Sequence, residues 1–517
     1  MGKWKKGGSV GLAMVMAATL LAGCGGDKEA KPSASTAPST GATAEPTGSE
    51  AAKPLNIKMF AGLYNEIPDM NNDFWKEWEK QTNAKLDIEF VPSSDLNTKL
   101  DLLLASGDLP EVVAYQDQIR PTLITAVKNG AFWDLTPFLG DLSEYPNLKA
   151  NLAPDALKYL SVEGKIYAVP RSRSRIDGGL KIRQDWLEKL NLPIPTTLDE
   201  YKETMKKVVD ADMDGNGSKD TVGFLLVNNP TAALPAGFGA YKPTFDADGG
   251  LMSPGLTPQY AEVVEYLRGL YADGLMSKEY AVMKETQAEE LFKTNRAFSY
   301  GRPIWWDHDW ETAMKKSGQP DAKILNVTLK GPHGDYAVGL ETGVAGGFYI
   351  SSKVPEAKVK QLLKYFDLTA SQELTDLAYY GIEGVHHTVV DGQMVLTEQG
   401  VKEVNTTSKS AGVLAYAKWG KVISAAGDKA YNDAKIKEVE NYDEIGMINI
   451  YRVITSDAWR NTWPKYENDY QAMVTKAIVG QISMEEYKAY VEKLTNQPDI
   501  KQSFKEMAEA YKQFMGE

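Results

Sequence analysis

The sequence predicts an α/β protein in two lobes, and three observations carry that prediction. From residue 55 onward strand-like and helix-like segments alternate, the pattern of a doubly wound sheet. No segment repeats at a fixed period. Residues 55–517 are also long for a single hydrophobic core, so the chain is expected to divide into two lobes or domains.

The N-terminal stretch lies outside that body. Lys3, Lys5 and Lys6 precede the apolar run VGLAMVMAATLLAG and then Cys24. This is the order of a signal peptide over residues 1–23, and the run is short for a spanning helix. Leu21-Ala22-Gly23-Cys24 resembles a bacterial lipobox, whose cysteine thiol is acylated (a palmitate-type anchor) and becomes the first mature residue. The alternative is an ordinary secretory signal. Cys24 is the only cysteine, so no internal disulfide can form. Residues 24–54 are almost devoid of large apolar side chains and read as a disordered tether with a span of roughly 30 Å. The expected location is the outer face of the cell membrane, lipid-anchored and extracellular. Formal charge is −13, and removing residues 1–23 takes three lysines and no acids, leaving −16. That surplus of acid argues against nucleic acid as a partner. Aromatic residues make up 10% of the chain, and they serve sugar stacking and core packing equally well.

Each element has its own signal. LNIKMF (55–60) alternates as a first strand. Over 71–82 Phe74, Trp75 and Trp78 share one helical face behind a cap at Asn72 or Asp73. KLDIEFVP (85–92) alternates as a second strand. The next helix starts at Ser94 or Asp95 and stops at Gly107, and PEVVAYQD (110–117) reads as a third, buried strand. Strand–helix–strand–helix–strand implies parallel pairing, with ligands at the carboxyl ends of strands. Tyr115, Gln116 and Asp117 end the third strand and Tyr64 and Asn65 follow the first, which makes them candidates for a cleft wall. GKIYAVP (164–170) is a further strand. Two helices then flank a proline-rich turn, with Thr197 as N-cap of the second. Helical pattern continues at 257–273, 355–369 and 483–515, and strand pattern at 296–304 and 344–350.

Several of these stretches together resemble one family. They are LAGC, LASGDLPEVV, NGAFWDLTPFL (129–139), GKIYAVP, RQDWLEKLNLPIPTTLDEY (183–201), DADMDGNGSKD (210–220) and YYGIEGVHHT (379–388). The chain is similar to the extracellular solute-binding lipoproteins of ABC importers, family 1 type, especially large carbohydrate-binding members such as alginate-binding proteins. The resemblance implies a type II periplasmic-binding-protein-like fold with a hinge and an interlobe cleft. It places residues 55–170 plus 341–385 in the N-terminal lobe and 171–340 plus 386–517 in the C-terminal lobe, with crossings near 170–175, 335–341 and 385–392. It implies a monomer whose partners are an oligosaccharide, an ABC permease and its ATPase.

The acidic loop DADMDGNGSKD offers hard oxygens at alternate positions with glycines for the sharp turn, the pattern of a calcium loop. Two registers compete. One uses Asp210, Asp212 and Asp214; the other uses Asp212, Asp214, Asn216, the Ser218 carbonyl and Asp220. The second engages Asp220 and agrees with a loop that relatives carry, so a structural Ca²⁺ on Asp212, Asp214, Asn216, Ser218 and Asp220 is expected. Neither register supplies a glutamate at the twelfth position, so affinity is expected in the extracellular range, roughly 10⁻⁴–10⁻³ M. A solvated Asx turn is the alternative.

For the cleft, GRPIWWDHDW (301–310) is similar to the strand-end segment by which maltose-type binding proteins stack on sugars. Trp305 or Trp306 would be the platform, one facing the cleft and the other the core if the strand continues. Asp307 and Arg302 would supply polar partners. Trp459 and Trp463 lie where relatives place a closing aromatic. Arg171 and Arg173, with Arg175, alternate after the first crossing and suit a carboxylate or uronic acid. His386 and His387 are expected to be structural. No G-x-S-x-G, H-E-x-x-H or Cys–His arrangement occurs, so no catalytic residues are assigned and the protein is expected not to be an enzyme. The expected function is capture of an oligosaccharide and its delivery to a permease; a secreted polysaccharide-degrading enzyme and a sensory lipoprotein are the alternatives.

Overall fold

The computed structural model describes residues 53–63, 66–116, 119–176, 179–218, 220–227, 233–302, 304–390, 393–405, 419, 422–424, 427–454 and 456–516, the side chains of Trp305, Gln393, Asn405 and Lys429 excepted. Cys24, the expected signal segment and the expected tether up to residue 52 lie outside these residues.

Two sheets organise the body. In the first, the strand order is Ala84–Pro92, Leu55–Leu63, Val112–Tyr115, Val344–Ile350 and Ala168–Ser172. The first three are parallel, and Val344–Ile350 runs antiparallel to both of its neighbours. Alternation sends successive residues to opposite faces. Ile57, Met59, Ala61, Val112, Ala114, Phe348 and Ile350 enter the core on one side, with Phe74, Trp75 and Trp78. Phe60, Val113, Tyr115 and Tyr349 enter the core on the other. Strands buried on both faces explain the near-continuous apolar runs of the sequence. Gly347 is required here: a Cβ would lie 2.8 Å from that of Ala168 on the neighbouring strand.

The second sheet has the order Ile324–Val327, Gly179–Arg183, Ala297–Arg302 and Val222–Leu225, with only the last pair parallel. Leu180, Ile182, Phe224 and Phe298 face the larger core. Tyr300, Leu225 and Ile324 face a smaller one. The expected caps form: Asn72 accepts the Trp75 N–H, and Thr197 that of Glu200. The helical pattern at 483–515 is two helices, Met484–Thr495 and Pro498–Met515. The second begins at Pro498, which fits a first turn but not a helix interior.

The chain passes between the sheets at three places that pair with one another. Ile176 bridges Leu340, the Arg173 N–H donates to Gly343, and Gly339–Leu340 pairs in parallel with Met447–Ile448. A small core of Ile176, Ile304, Val338, Leu340, Val439 and Tyr442 fills the junction. The third passage therefore lies beyond residue 405, where the helix Lys429–Ile445 touches both lobes and Met447–Ile448 joins the junction, and not near 385–392. There, His387–Val390 and Gln393–Leu396 form a hairpin, and Val404 beyond it is buried in the first lobe's core. Residues 386–390 and 393–405 belong to the first lobe because this hairpin folds back on it. His386 Nδ1 accepts the Ile382 N–H at 3.0 Å, and His387 Nδ1–H donates to the Tyr380 carbonyl at 2.9 Å.

Candidate ligand-binding cleft

A cavity of about 480 Å³ opens between the lobes. The first lobe contributes Ile119, Arg120, Pro121, Tyr159 and Leu160, and the returning strand contributes Thr342, Val344 and Gly346. The second lobe contributes Ser253, the run Tyr451–Ile454, Ser456, Trp459, Arg460 and Met507.

Trp459 stands on this wall on a fixed base. Ser456 caps the short helix Asp457–Thr462 by accepting the Trp459 N–H at 3.0 Å. Glu506, on the C-terminal helix, accepts the Ser456 hydroxyl at 3.1 Å and the Ala458 N–H at 3.0 Å. The indole stacks on Trp463, with centroids 4.7 Å apart and planes 14° apart, and on Phe504 at 6.2 Å. Trp463 lies behind Trp459 and is not among the cavity-lining residues. A rigid indole with its back covered presents an apolar surface that costs little entropy to order.

Three guanidinium groups line the same cavity, each beside a carboxylate. Arg120 Nη2 reaches Asp101 at 2.5 Å while its Nη1 is buried without a partner. Arg452 pairs with Glu341 at 2.7 Å, and Arg460 pairs with Asp457. They come from three separate segments, and sequence spacing gave no sign that they meet. The exception is the Asp457–Arg460 spacing, which a helix brings together.

The arginines expected at the first crossing are elsewhere. Arg171 is buried in its strand and donates to the Ala345 carbonyl at 3.3 Å. The strand ends at Ser172, and Arg173 and Arg175 then enter the backbone pairing of the junction. None of the three is among the cavity-lining residues. Gln116 is also turned inward, donating to the Gly62 carbonyl at 2.7 Å. Tyr64, Asn65, Asp117 and the side chain of Trp305 lie outside the described residues.

The segment 301–310 packs within the second lobe. Its strand stops at Arg302 and Ile304–Trp306 is a single 3₁₀ turn, so the alternation expected of Trp305 and Trp306 does not apply. Trp306 rests on Trp310, with the Arg302 guanidinium 4.5 Å above its ring. Arg302 is held by Glu289 at 2.8 Å and Glu285 at 3.2 Å. Asp307 is fully buried and accepts from Lys181, from Lys435 at 2.8 Å and from Asn326 at 2.5 Å. Burial works against its charge, but the two ammonium groups outweigh that and hold the carboxyl below the usual range. Asp307 thus joins the sheet to the helix Lys429–Ile445 as a buried counter-ion and is not among the cavity-lining residues.

In the acidic loop, Asp212, Gly215 and Gly217 adopt positive φ (46°, 69° and 75°). Asp212 accepts the N–H groups of Asn216 at 3.1 Å and Gly217 at 2.9 Å, which holds its carboxyl below the usual range. The Asn216 amide donates to Asp214 at 2.7 Å and Asp220 at 3.1 Å. Arg296 pairs with Asp220 and has Nε 3.9 Å from Asp214. Asp214 and Asp220 therefore converge on one point, where N–H donors and a guanidinium supply positive charge. The donor type suits a hard cation, although no three acidic or imidazole side chains form a ready ligand set among the described residues.

Two α/β lobes joined by crossing strands around an aromatic cleft define a hinged solute receptor. Residues 74–380 match the model of the bacterial extracellular solute-binding protein family. The chain is 31% identical over 89% of its length, and 92% of the relative's, to the polygalacturonan/rhamnogalacturonan-binding protein YtcQ of Bacillus subtilis (strain 168). It is 28% identical to lipoprotein LipO of the same organism over 76% of each chain. The crystal structure of the N-glycan transport solute binding protein NgtS of Streptococcus pneumoniae superposes with a TM-score of 0.64, over 89% of this chain and 99% of that one at 18% identity, a likeness of fold. The chain belongs to the bacterial extracellular solute-binding protein family.

Proposed function

We propose that the protein is the lipid-anchored receptor of an ABC importer and that it captures an oligosaccharide carrying carboxylates, such as a uronic-acid oligomer. The observation that carries this reading is one cavity bordered by a backed indole and three guanidinium groups. A flat sugar face suits the indole of Trp459, and planar carboxylates suit Arg120, Arg452 and Arg460. The name of the relative YtcQ points to the same ligand class. Binding on both lobes stabilises the closed form, which is then presented to a permease and its ATPase. The reading is of capture and release without covalent chemistry.

The acidic loop is further proposed to bind Ca²⁺ through Asp212, Asp214, Asn216, Ser218 and Asp220 as a structural ion. That binding requires Arg296 to withdraw from Asp220.

Calorimetric titration with trigalacturonate and with a neutral trisaccharide tests the ligand class. Tight binding of the first alone is expected. Binding of the neutral sugar alone would overturn the acidic reading, and new reducing ends after incubation with polygalacturonate would overturn the non-enzymatic one.

A further inference from the structure

The aromatic walls of the cleft stand on different lobes yet lean on one helix. Trp459, in the second lobe, stacks on Phe504. Tyr159, in the first, stacks on Phe514, with centroids 5.6 Å apart and planes only 10° apart. Both phenylalanines belong to the C-terminal helix Pro498–Met515. Lys158, next to Tyr159, sets its ammonium 4.1 Å from the centre of the Phe514 ring. Met507 precedes Phe514 by seven residues, shares nearly the same helix face, and itself lines the cavity. The helix is rooted in the second lobe, where Ile500, Phe504, Met507 and Ala508 enter the core. Phe514 therefore carries the second lobe to the first at the rim of the cleft, away from the three passages of the junction.

We propose that Phe514 is an interlobe latch, and that it positions Tyr159 as the first-lobe wall against which the solute is held. The rings separate when the lobes open about the junction, so their contact favours the closed form alone. Tyr159 then acts as the counterpart of Trp459, and the helix that backs both walls fixes the gap between them. This rests on the reading of the cleft as the solute site. An aromatic pair of this geometry changes a two-state ratio by about two- to tenfold.

The test uses the full chain carrying dyes at exposed Lys85 and Lys278, one on each lobe. Single-molecule energy transfer reports the closed fraction without any sugar, and stopped-flow reports trigalacturonate dissociation. Phe514→Ala is expected to lower the ratio of closed to open molecules about two- to tenfold and to speed dissociation by a similar factor, leaving association little changed. Phe514→Tyr, which keeps the ring, is expected to restore both. A Phe514→Ala protein with the wild-type closed fraction would overturn the latch, as would failure of Phe514→Tyr to restore it. If trigalacturonate does not bind the wild type, the sugar reading fails, while the sugar-free measurement still decides the latch.

Discussion

The indole of Trp459 lies flat on that of Trp463, 4.7 Å between centroids, with only Trp459 reaching the cleft. On the proposed reading Trp459 makes the sugar contact and Trp463 makes it rigid. Trp459→Ala should weaken trigalacturonate binding by about 2 kcal/mol, roughly thirtyfold, while changing stability little. Trp463→Ala should weaken binding less and lower the melting temperature more. Calorimetry and thermal melts on the two variants check the division; equal binding losses would remove it.

Arg452 and Arg460 are half-exposed, so water and salt screen them. Replacing either with alanine should cost about 1 kcal/mol of affinity for an acidic trisaccharide and almost nothing for a neutral one. Raising salt should weaken wild-type binding and reduce the difference between the variants. A salt-independent loss would point to packing.

Asp307 is the buried carboxylate that two buried lysines share, and removing it takes an anionic acceptor from each, while Glu438 stays on Lys435. Asp307→Ala should destabilise the protein by about 3–5 kcal/mol, measured by denaturant unfolding, with binding lost only through unfolding. Its carboxyl is held below the ordinary value near 3.9, so the unfolded state takes up a proton first as pH falls. The stabilisation is complete above about pH 4 and is lost as pH drops through the folded-state value. Wild type should therefore lose stability in acid more steeply than Asp307→Asn.

Millimolar calcium should raise the melting temperature by about 2 °C, and Asp214→Ala should abolish the increment. Arg296→Gln should strengthen the calcium response by removing the cation beside Asp214 and Asp220. Identical melting curves with and without calcium would leave the loop as a turn held by hydrogen bonds.

Much of the fold was legible. Alternation in LNIKMF and the three-residue face of Phe74, Trp75 and Trp78 are local signals, and the local structure follows them. Thr197 and Asn72 announce helix starts for the same reason. The cleft was legible only in part. Trp459 was readable as a candidate only through the family resemblance, which places a closing aromatic there. Arg120, Tyr159 and Arg452 were not, because what joins them is the meeting of distant segments. The segment around Trp306 misled because a strand was extrapolated through Arg302, where the chain turns into a helix. The hairpin at 387–396 misled similarly, since an extended segment reads alike whether it crosses between lobes or folds back.

The central claim is that the solute is held by both lobes and that this contact drives closure. Small-angle X-ray scattering on the full chain, with and without saturating trigalacturonate, tests it most directly. The account predicts a smaller radius of gyration in the bound sample. An unchanged scattering curve, with calorimetry showing the sugar bound, would contradict it.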